Sequence, residues 1–581
     1  MRPSATIRKA APGDAPVFGA ARNVDSRPAN FLIHAARSSY LAVLAFKRPV
    51  VSSEFMILMS SVAFSVLFNN AFWSSAVPRP WMQWKLALSL FLILTALHCL
   101  LLGVLVNRWV AKPVLTVLML TTALAAHFMS AYGIYLDADM LRNVLNTDTK
   151  ESRELMTMGL LVPVALTLFP VALLWWTKIK RRSIARAGMV RLAFLAISVV
   201  VILVGAFLSS RDLSSLLRNQ REIRYLVAPA NYLVSLSKVL LAAPPGKRAA
   251  PLLPIGEDAV QRPAATDRKP RLVVLVVGET VRAQNWGLSG YVRQTTPRLS
   301  RIPGLVNFSD VVACGSSTEV SLPCMFSAYG RANYDQKKIR SHQSLLHVLN
   351  RGGVQPLWID NQSGCKGVCA DLPYLQIGDE QDSALCNGNR CYDEILVKTL
   401  ASHLAPAKGD RLVVLHQLGN HGPNYFERYP DRFKSFTPSC ENPDLGKCTV
   451  SSIVNAYDNA VLYTDYFLAE TISLLERQSH YDAAMIYVSD HGESLGENGL
   501  FLHGIPYAIA PDEQLEVPMV VWLSLTFLQA AAIEGDCLQR VANRPVSHDN
   551  LFSSLLGLLD MKTTLYSPDM DVFHSCRTGQ D

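Results

Sequence analysis

Cysteine is nearly missing from the first half of this chain. Cys99 is the one cysteine before Cys314, and the other ten follow from there to Cys576. A disulfide framework in the first half is therefore excluded. Charge is scarce within the apolar runs between residues 54 and 210, a stretch dense in Leu, Val, Ala and Phe. With 50% hydrophobic residues among 581, the chain is too apolar for one ordinary soluble domain and too long for a single core. Internal repeats are absent. No run carries the small-residue cleavage site of a removable signal peptide.

Five apolar runs come close to the roughly 20 residues that cross a bilayer. They lie near 54–74, 86–107, 113–135, 156–176 and 190–210. The basic residues fix their orientation. Arg2, Arg8, Lys9, Arg22, Arg27, Arg37, Lys47 and Arg48 precede the first run, Arg108 and Lys112 follow the second, and "KIKRRSIARAGMVR" follows the fourth. With five spans, all three groups share the cytoplasmic side. The stretch 136–155 and the whole C-terminal half then face outward. Trp73, Trp81, Trp84, Trp109, Trp175 and Trp176 stand at span ends, as interfacial anchors do. The basic loops largely account for the net charge of +8, so it reads as topology and not as nucleic-acid binding.

Expected organisation is a basic extension over 1–50, a five-helix membrane domain over 51–210, interfacial helices and a linker over 211–270, and a catalytic domain over 271–581. In the third segment, "RDLSSLLRNQREIRYLVAPANYLVSLSKVLL" is partly amphipathic and broken at Pro229. The cysteines agree with an external C-terminal half. Four pairs are close in sequence: Cys314 with Cys324, Cys365 with Cys369, Cys386 with Cys391, and Cys440 with Cys448. Cys537 and Cys576 are left as a fifth candidate pair. Outside the cytoplasm such pairs point to disulfides. Irregular spacing speaks against the alternative, a zinc–thiolate site.

From residue 271 the pattern is α/β. "RLVVLVVGE", "RLVVLHQLG" and "AAMIYVSDHGE" are continuous buried-strand runs of the kind found in parallel sheets. In such sheets the working site gathers beyond the carboxyl ends of the strands. Glu279 ends the first run. His416 ends the second and leads to His421. Asp490 and His491 end the third, with His503 following in "FLHG". Carboxylates and imidazoles at several strand ends form a set suited to zinc. Zinc in turn activates a hydroxyl and polarises a phosphoryl group. The bracketed loop "CGSSTEVSLPCMF" offers Ser316, Ser317, Thr318 and Ser321, and the residues alone do not choose among them.

The stretches "GETVRAQNWGLSGY", "CGSSTEVSLPCMF", "LGNHGPNYFERY", "AYDNAVLYTDYF" and "YVSDHGESLGENGLFLHG" resemble the phosphoethanolamine transferases of Gram-negative inner membranes. That family includes lipid A modifying enzymes and mobile colistin-resistance enzymes. The resemblance runs from the first span to about residue 575. It implies an α/β/α domain of the alkaline-phosphatase/sulfatase type, placed in the periplasm behind five transmembrane helices. It implies that Glu279, Thr318, Asp490 and His491 bind one Zn2+, that Thr318 is the nucleophile, and that His421 and His503 contact the transferred group or a second Zn2+. Ser363 and Lys366 match residues lining the phosphoethanolamine pocket. Asn143, Thr147 and Glu151 match a lipid-substrate contact set; spaced four apart, they would share one face of a helix. The implied reaction moves phosphoethanolamine from phosphatidylethanolamine to lipid A through a phospho-threonine intermediate. Binding of polymyxin and other cationic peptides would weaken. A monomer is expected.

Two related activities fit less well. A sulfatase needs a C/S-x-P-x-R motif, and here Met325 stands where the Arg should be. A glycerol-phosphate transferase of the lipoteichoic-acid type would not account for "NVLNTDTKE" and "SLGENGLFLHG". Transfer to a core sugar of lipopolysaccharide is the remaining alternative.

Overall fold

Apolar helices come first along the chain. The computed structural model describes residues 48–578, apart from 148, 243–250, 264–267, 379–381, 383, 388–389 and 405–408. The expected basic N-terminal extension lies almost wholly outside the described residues. α1 (Ser53–Leu67) and α2 (Asn70–Ala76) form a pair bent by 61° over the expected first span near 54–74. Asn69 holds the bend. Its Nδ2 donates to the carbonyls of Phe64 (2.7 Å) and Ala228 (2.8 Å), and its Oδ1 accepts from the Ala228 amide at 2.8 Å. These bonds satisfy backbone groups that a break in an apolar setting would otherwise strand.

α3 (Trp84–Leu105) and α4 (Ala111–Tyr132) are the next two spans. Two short helices follow, α5 (Ala138–Asn146) and α6 (Thr149–Glu154). α7 (Leu161–Trp176) and α8 (Ile184–Leu208) complete the set. Among the described residues, four helices are thus long and apolar enough to cross a membrane, or five counting the bent pair as one. α3 packs against α8 where Gly205 leaves room: a Cβ there would lie 2.8 Å from Ile93 Cγ1. α9 (Ser210–Asn219) and α10 (Ala230–Ala242) flank Pro229.

The C-terminal half is built on a seven-stranded sheet. Its strands are β1 (Arg271–Gly278), β2 (Val306–Phe308), β3 (Gln355–Asp360), β4 (Tyr374–Gln376), β5 (Arg411–His416), β6 (Asp482–Ser489) and β7 (Met519–Leu523). The order is β2-β7-β6-β1-β5-β3-β4. Strands β6, β1, β5, β3 and β4 are parallel; β7 is reversed and pairs antiparallel with both β6 and the edge strand β2.

β1 shows why the apolar run is continuous. Val273, Leu275 and Val277 enter one core, and Leu272, Val274 and Val276 enter the other. Both faces are covered, so alternation has no place. Burying each such side chain stabilises the fold by roughly 1.5–3 kcal/mol. The first core lies under α11 (Thr318–Met325), α12 (Leu345–Arg351) and α15 (Asp549–Leu558). The second lies under α13 (Glu394–His403) and α14 (Val450–Glu476). This is the expected α/β/α architecture. Tyr132, at the end of α4, is buried in the second core, so the membrane-spanning part and the sheet share apolar packing.

Candidate active site

Register creates the centre of the site. β1 and β6 pair in parallel with Gly278 opposite Ser489. The next residues, Glu279 and Asp490, therefore emerge side by side, and His491 follows. All three are fully buried. One ligand atom from each lies within 4.8 Å of the others. His491 Nε2 stands 3.4 Å from Glu279 Oε1 and 3.5 Å from Asp490 Oδ2.

The neighbouring groups orient these donors. His491 Nδ1 lies 2.9 Å from the Gly492 carbonyl, a contact that leaves Nε2 turned to the carboxylates. Asp490 Oδ1 accepts the amides of His491 (2.8 Å) and Thr280 (3.2 Å). Gln362 Nε2 donates to Glu279 Oε2 at 3.0 Å. Asp490 Oδ2 is buried with no hydrogen-bond partner. Leaving such an oxygen unmatched is costly unless a cation completes it. The N/O donor set and the orphaned oxygen together fit a divalent metal ion.

Electrostatics points the same way. Burial pushes the Glu279 carboxyl up, but the hydrogen bond and charge of His491 outweigh it and hold the group well below the usual carboxylate range. Asp490 is raised, first by burial and then by the charge of Glu279. Burial lowers His491, yet the charges of Asp490 and Glu279 carry it up to about 9. The site thus holds a proton where two carboxylates call for positive charge.

The bracketed loop meets this centre at its N-terminal helix end. Thr318 opens α11, and its Oγ1 lies 3.0 Å from Glu279 Oε2, 3.1 Å from Oε1 and 3.2 Å from His491 Nε2. Two of the other three hydroxyls are engaged by backbone carbonyls. Ser316 Oγ donates to the Ile505 carbonyl and Ser321 Oγ to the Asp490 carbonyl, each at 2.5 Å. Ser317 is the residue before the helix and makes no capping bond with its side chain. A disulfide between Cys314 and Cys324 joins the strand-side entry of the loop to the far end of α11.

His503 and His421 flank the centre. The His503 ring lies 4.4 Å from that of His491 and 5.6 Å from that of His421. His503 Nδ1 is 2.7 Å from Glu493 Oε2, and Tyr425 donates its hydroxyl to Glu493 Oε1 at 2.6 Å. Ser363 and Lys366 are joined to each other, Lys366 Nζ donating to Ser363 Oγ at 2.7 Å. They adjoin the centre along the chain through Gln362.

Asn143 and Thr147 do not share one continuous helix with Glu151. α5 ends at Asn146, and Thr147 is extended, its Oγ1 donating back to the Asn143 carbonyl at 2.8 Å. The run Asn-Thr-Asp-Thr carries side chains that compete for backbone bonds, so the helix stops and restarts at Thr149. The Glu151 side chain lies outside the described residues. This segment still reaches the centre. Asn146 Nδ2 donates to Glu319 Oε1 at 3.2 Å, beside Thr318, and a Cβ on Gly504 would fall 2.5 Å from Met140.

The four expected cysteine pairs are disulfides, and the fifth candidate pair, left open by the sequence, is one as well. Besides the bridge at the Thr318 loop, Cys365 bonds to Cys369, Cys386 to Cys391, Cys440 to Cys448, and Cys537 to Cys576. None of these ten sulfurs is therefore left as a thiolate for zinc, and Cys99 is the free cysteine. The bridge from Cys365 to Cys369 closes the short loop that carries Lys366. Sequence reading assigned no role to Gln362, Glu493 or Tyr425. Glu493 stood inside the quoted "SDHGE", where its offset from His491 was the available signal. Tyr425 likewise stood inside the quoted "LGNHGPNYFERY", whereas Gln362 offered no such signal.

Comparison with known proteins gives two family matches: residues 271–561 match the Sulfatase family and residues 94–243 match a family described as Phosphoethanolamine transferase EptA/EptB. Phosphoethanolamine transferase EptA of Escherichia coli K12 is 37% identical over 544 residues, 91% of this chain and 98% of that protein. Phosphatidylethanolamine transferase Mcr-1 of Escherichia coli is 40% identical over 465 residues, 78% of this chain and 84% of that protein. The structure of the integral membrane lipooligosaccharide phosphoethanolamine transferase A from Neisseria meningitidis aligns with a TM-score of 0.86 at 36% identity, covering 91% of this chain and all of that one.

Proposed function

This chain belongs to the phosphoethanolamine transferases, and we propose that it takes phosphoethanolamine from phosphatidylethanolamine and delivers it to a lipid A phosphate. The observation that carries this reading is the approach of the Thr318 hydroxyl to Glu279 and His491 at 3.0–3.2 Å. Glu279, Asp490 and His491 would hold one zinc ion. Bound there, zinc would neutralise phosphoryl oxygens and ease ionisation of a hydroxyl.

The residues supply the rest. Thr318 Oγ1 attacks the donor phosphorus while its proton passes to the side of His421 and His503. The bond from phosphorus to the glycerol oxygen breaks, and diacylglycerol departs with a proton delivered from the side of His421 and His503. Phosphoethanolamine stays on Thr318. A lipid A phosphate oxygen then attacks the same phosphorus, the bond to Thr318 Oγ1 breaks, and the threonine recovers its proton. The N-terminus of α11 favours the negative charge that builds up on the phosphoryl group. Ser363 and Lys366 supply a hydroxyl and a positive charge for the substrate, and Asn143, Thr147 and Glu151 meet the lipid.

Donor and acceptor are both lipids, and anchoring by the apolar helices confines the search to one leaflet. Basic loops on the opposite side support an inner-membrane enzyme with its catalytic part in the periplasm. The added ammonium offsets a phosphate charge, which would weaken attraction for polymyxin and other cationic peptides.

The test uses purified protein and fluorescent phosphatidylethanolamine. Diacylglycerol should appear, with a phosphoethanolamine adduct on Thr318 by mass spectrometry. Thr318→Ala should lose both, by about a thousandfold or more. Intact transfer in Thr318→Ala sinks the mechanism, and unchanged lipid A in an expressing strain redirects the acceptor to another group.

A further inference from the structure

A carboxylate on the membrane-anchored part reaches the backbone of His421 through one guanidinium. Glu154 ends α6. Its Oε2 accepts from Arg428 Nη2 at 2.5 Å, and its Oε1 accepts from Arg390 Nε at 3.1 Å. The Arg428 side chain is fully buried. The Nε of that same guanidinium donates to the His421 carbonyl at 2.7 Å. Burial pushes the Glu154 carboxyl up, but the charge and hydrogen bond of Arg428 and the charge of Arg390 bring it down to about 2. The group is therefore ionised at neutral pH. A guanidinium is planar and rigid, so its donors move as one body.

We infer that Glu154 and Arg428 are positioning residues for the transfer, holding the His421 segment in register with Thr318 and tying that register to helix α6. The inference rests on the reading of His421 as a group that contacts the transferred phosphoethanolamine. Arg428 ends a short turn that begins at His421. Its amide donates to the Tyr425 carbonyl at 3.1 Å, and Tyr425 in turn holds Glu493 and, through it, His503. Displacing Arg428 would thus disturb both flanking histidines, His421 most directly. Geometry errors near 1 Å at a reacting centre cost up to about a hundredfold in rate.

The experiment measures diacylglycerol release by the full-length zinc-loaded protein in micelles containing phosphatidylethanolamine. Glu154→Gln should lower kcat about ten- to hundredfold with little change in KM and with zinc content retained. Arg428→Lys keeps the charge but loses the planar fork, and it should fall with Glu154→Gln. The deciding arm repeats Glu154→Gln in a His421→Ala background, where the further loss should be only a small part of that seen with His421 present. If the two losses multiply, the link does not act through His421 and the inference is overturned. If His421→Ala alone transfers at the wild-type rate, the reading of His421 fails and takes the inference with it. Should Arg428→Lys not fold, the Glu154→Gln and His421→Ala cycle decides by itself.

Discussion

If the proposed site takes zinc, the incoming ion must expel a proton. Without metal, His491 carries one up to about pH 9, because Asp490 and Glu279 outweigh its burial. Zinc binds the neutral imidazole, so below pH 9 the ion competes with that proton. Apparent affinity should then rise about tenfold per pH unit, or about a hundredfold from pH 7 to 9, and level off above. The metal-free protein should behave oppositely. Its His491 is raised in the folded state from 6.5 to about 9. The stabilisation from that proton is full below pH 6.5 and disappears as pH rises through 9, an effect on the order of 3 kcal/mol. Competition against a zinc indicator from pH 6.5 to 9.5 measures the first trend. Calorimetry in two buffers of different ionisation enthalpy counts the protons released, about one at pH 7.5. An affinity flat between pH 7 and 9, or binding with no proton release, would refute the reasoning.

Two further outcomes follow from packing. Gly419 has φ +54°, and a Cβ there would lie 2.6 Å from the Glu279 carbonyl oxygen. Gly419→Ala should cost about 1–3 kcal/mol in thermal or denaturant unfolding and weaken zinc binding, because backbone and ligand must both shift; unchanged affinity would show that the Glu279 segment tolerates displacement. Replacing Cys314 and Cys324 together by Ser should cost about 2–4 kcal/mol of stability. Transfer by the fraction still folded should fall as well, since the bridge spans the loop that presents Thr318; full activity in the folded fraction would make the bridge purely structural.

The sequence was informative wherever the physics is local. Long uncharged apolar runs read as membrane helices because a bilayer solvates nothing else, and each of the five overlaps an observed helix or, for the first, a bent helix pair. The bend in the first is what the runs do not show. It is held by Asn69 bonding to Ala228, 159 residues away, and no local pattern reports that partner. Val-rich runs read as buried parallel strands, and chemistry was sought at their carboxyl ends, where Glu279, Asp490 and His491 stand. The cysteine pairs were legible because four of the five are at most ten residues apart.

Tertiary structure alone decided what meets what. The sequence contains Glu279 and Asp490, but their adjacency comes from a strand register 211 residues apart, Gly278 opposite Ser489. Four hydroxyls were equivalent on residue chemistry, and the fold turns Ser316 and Ser321 to carbonyls while Thr318 faces the carboxylates. Gln362 reaches Glu279 across 83 residues, and Glu154 reaches Arg428 across 274. Residue type and short-range period determine which elements form and which chemistry is available. The three-dimensional juxtaposition that makes a site depends on contacts whose partners are far apart in the chain, and those are set by packing, not by any local preference.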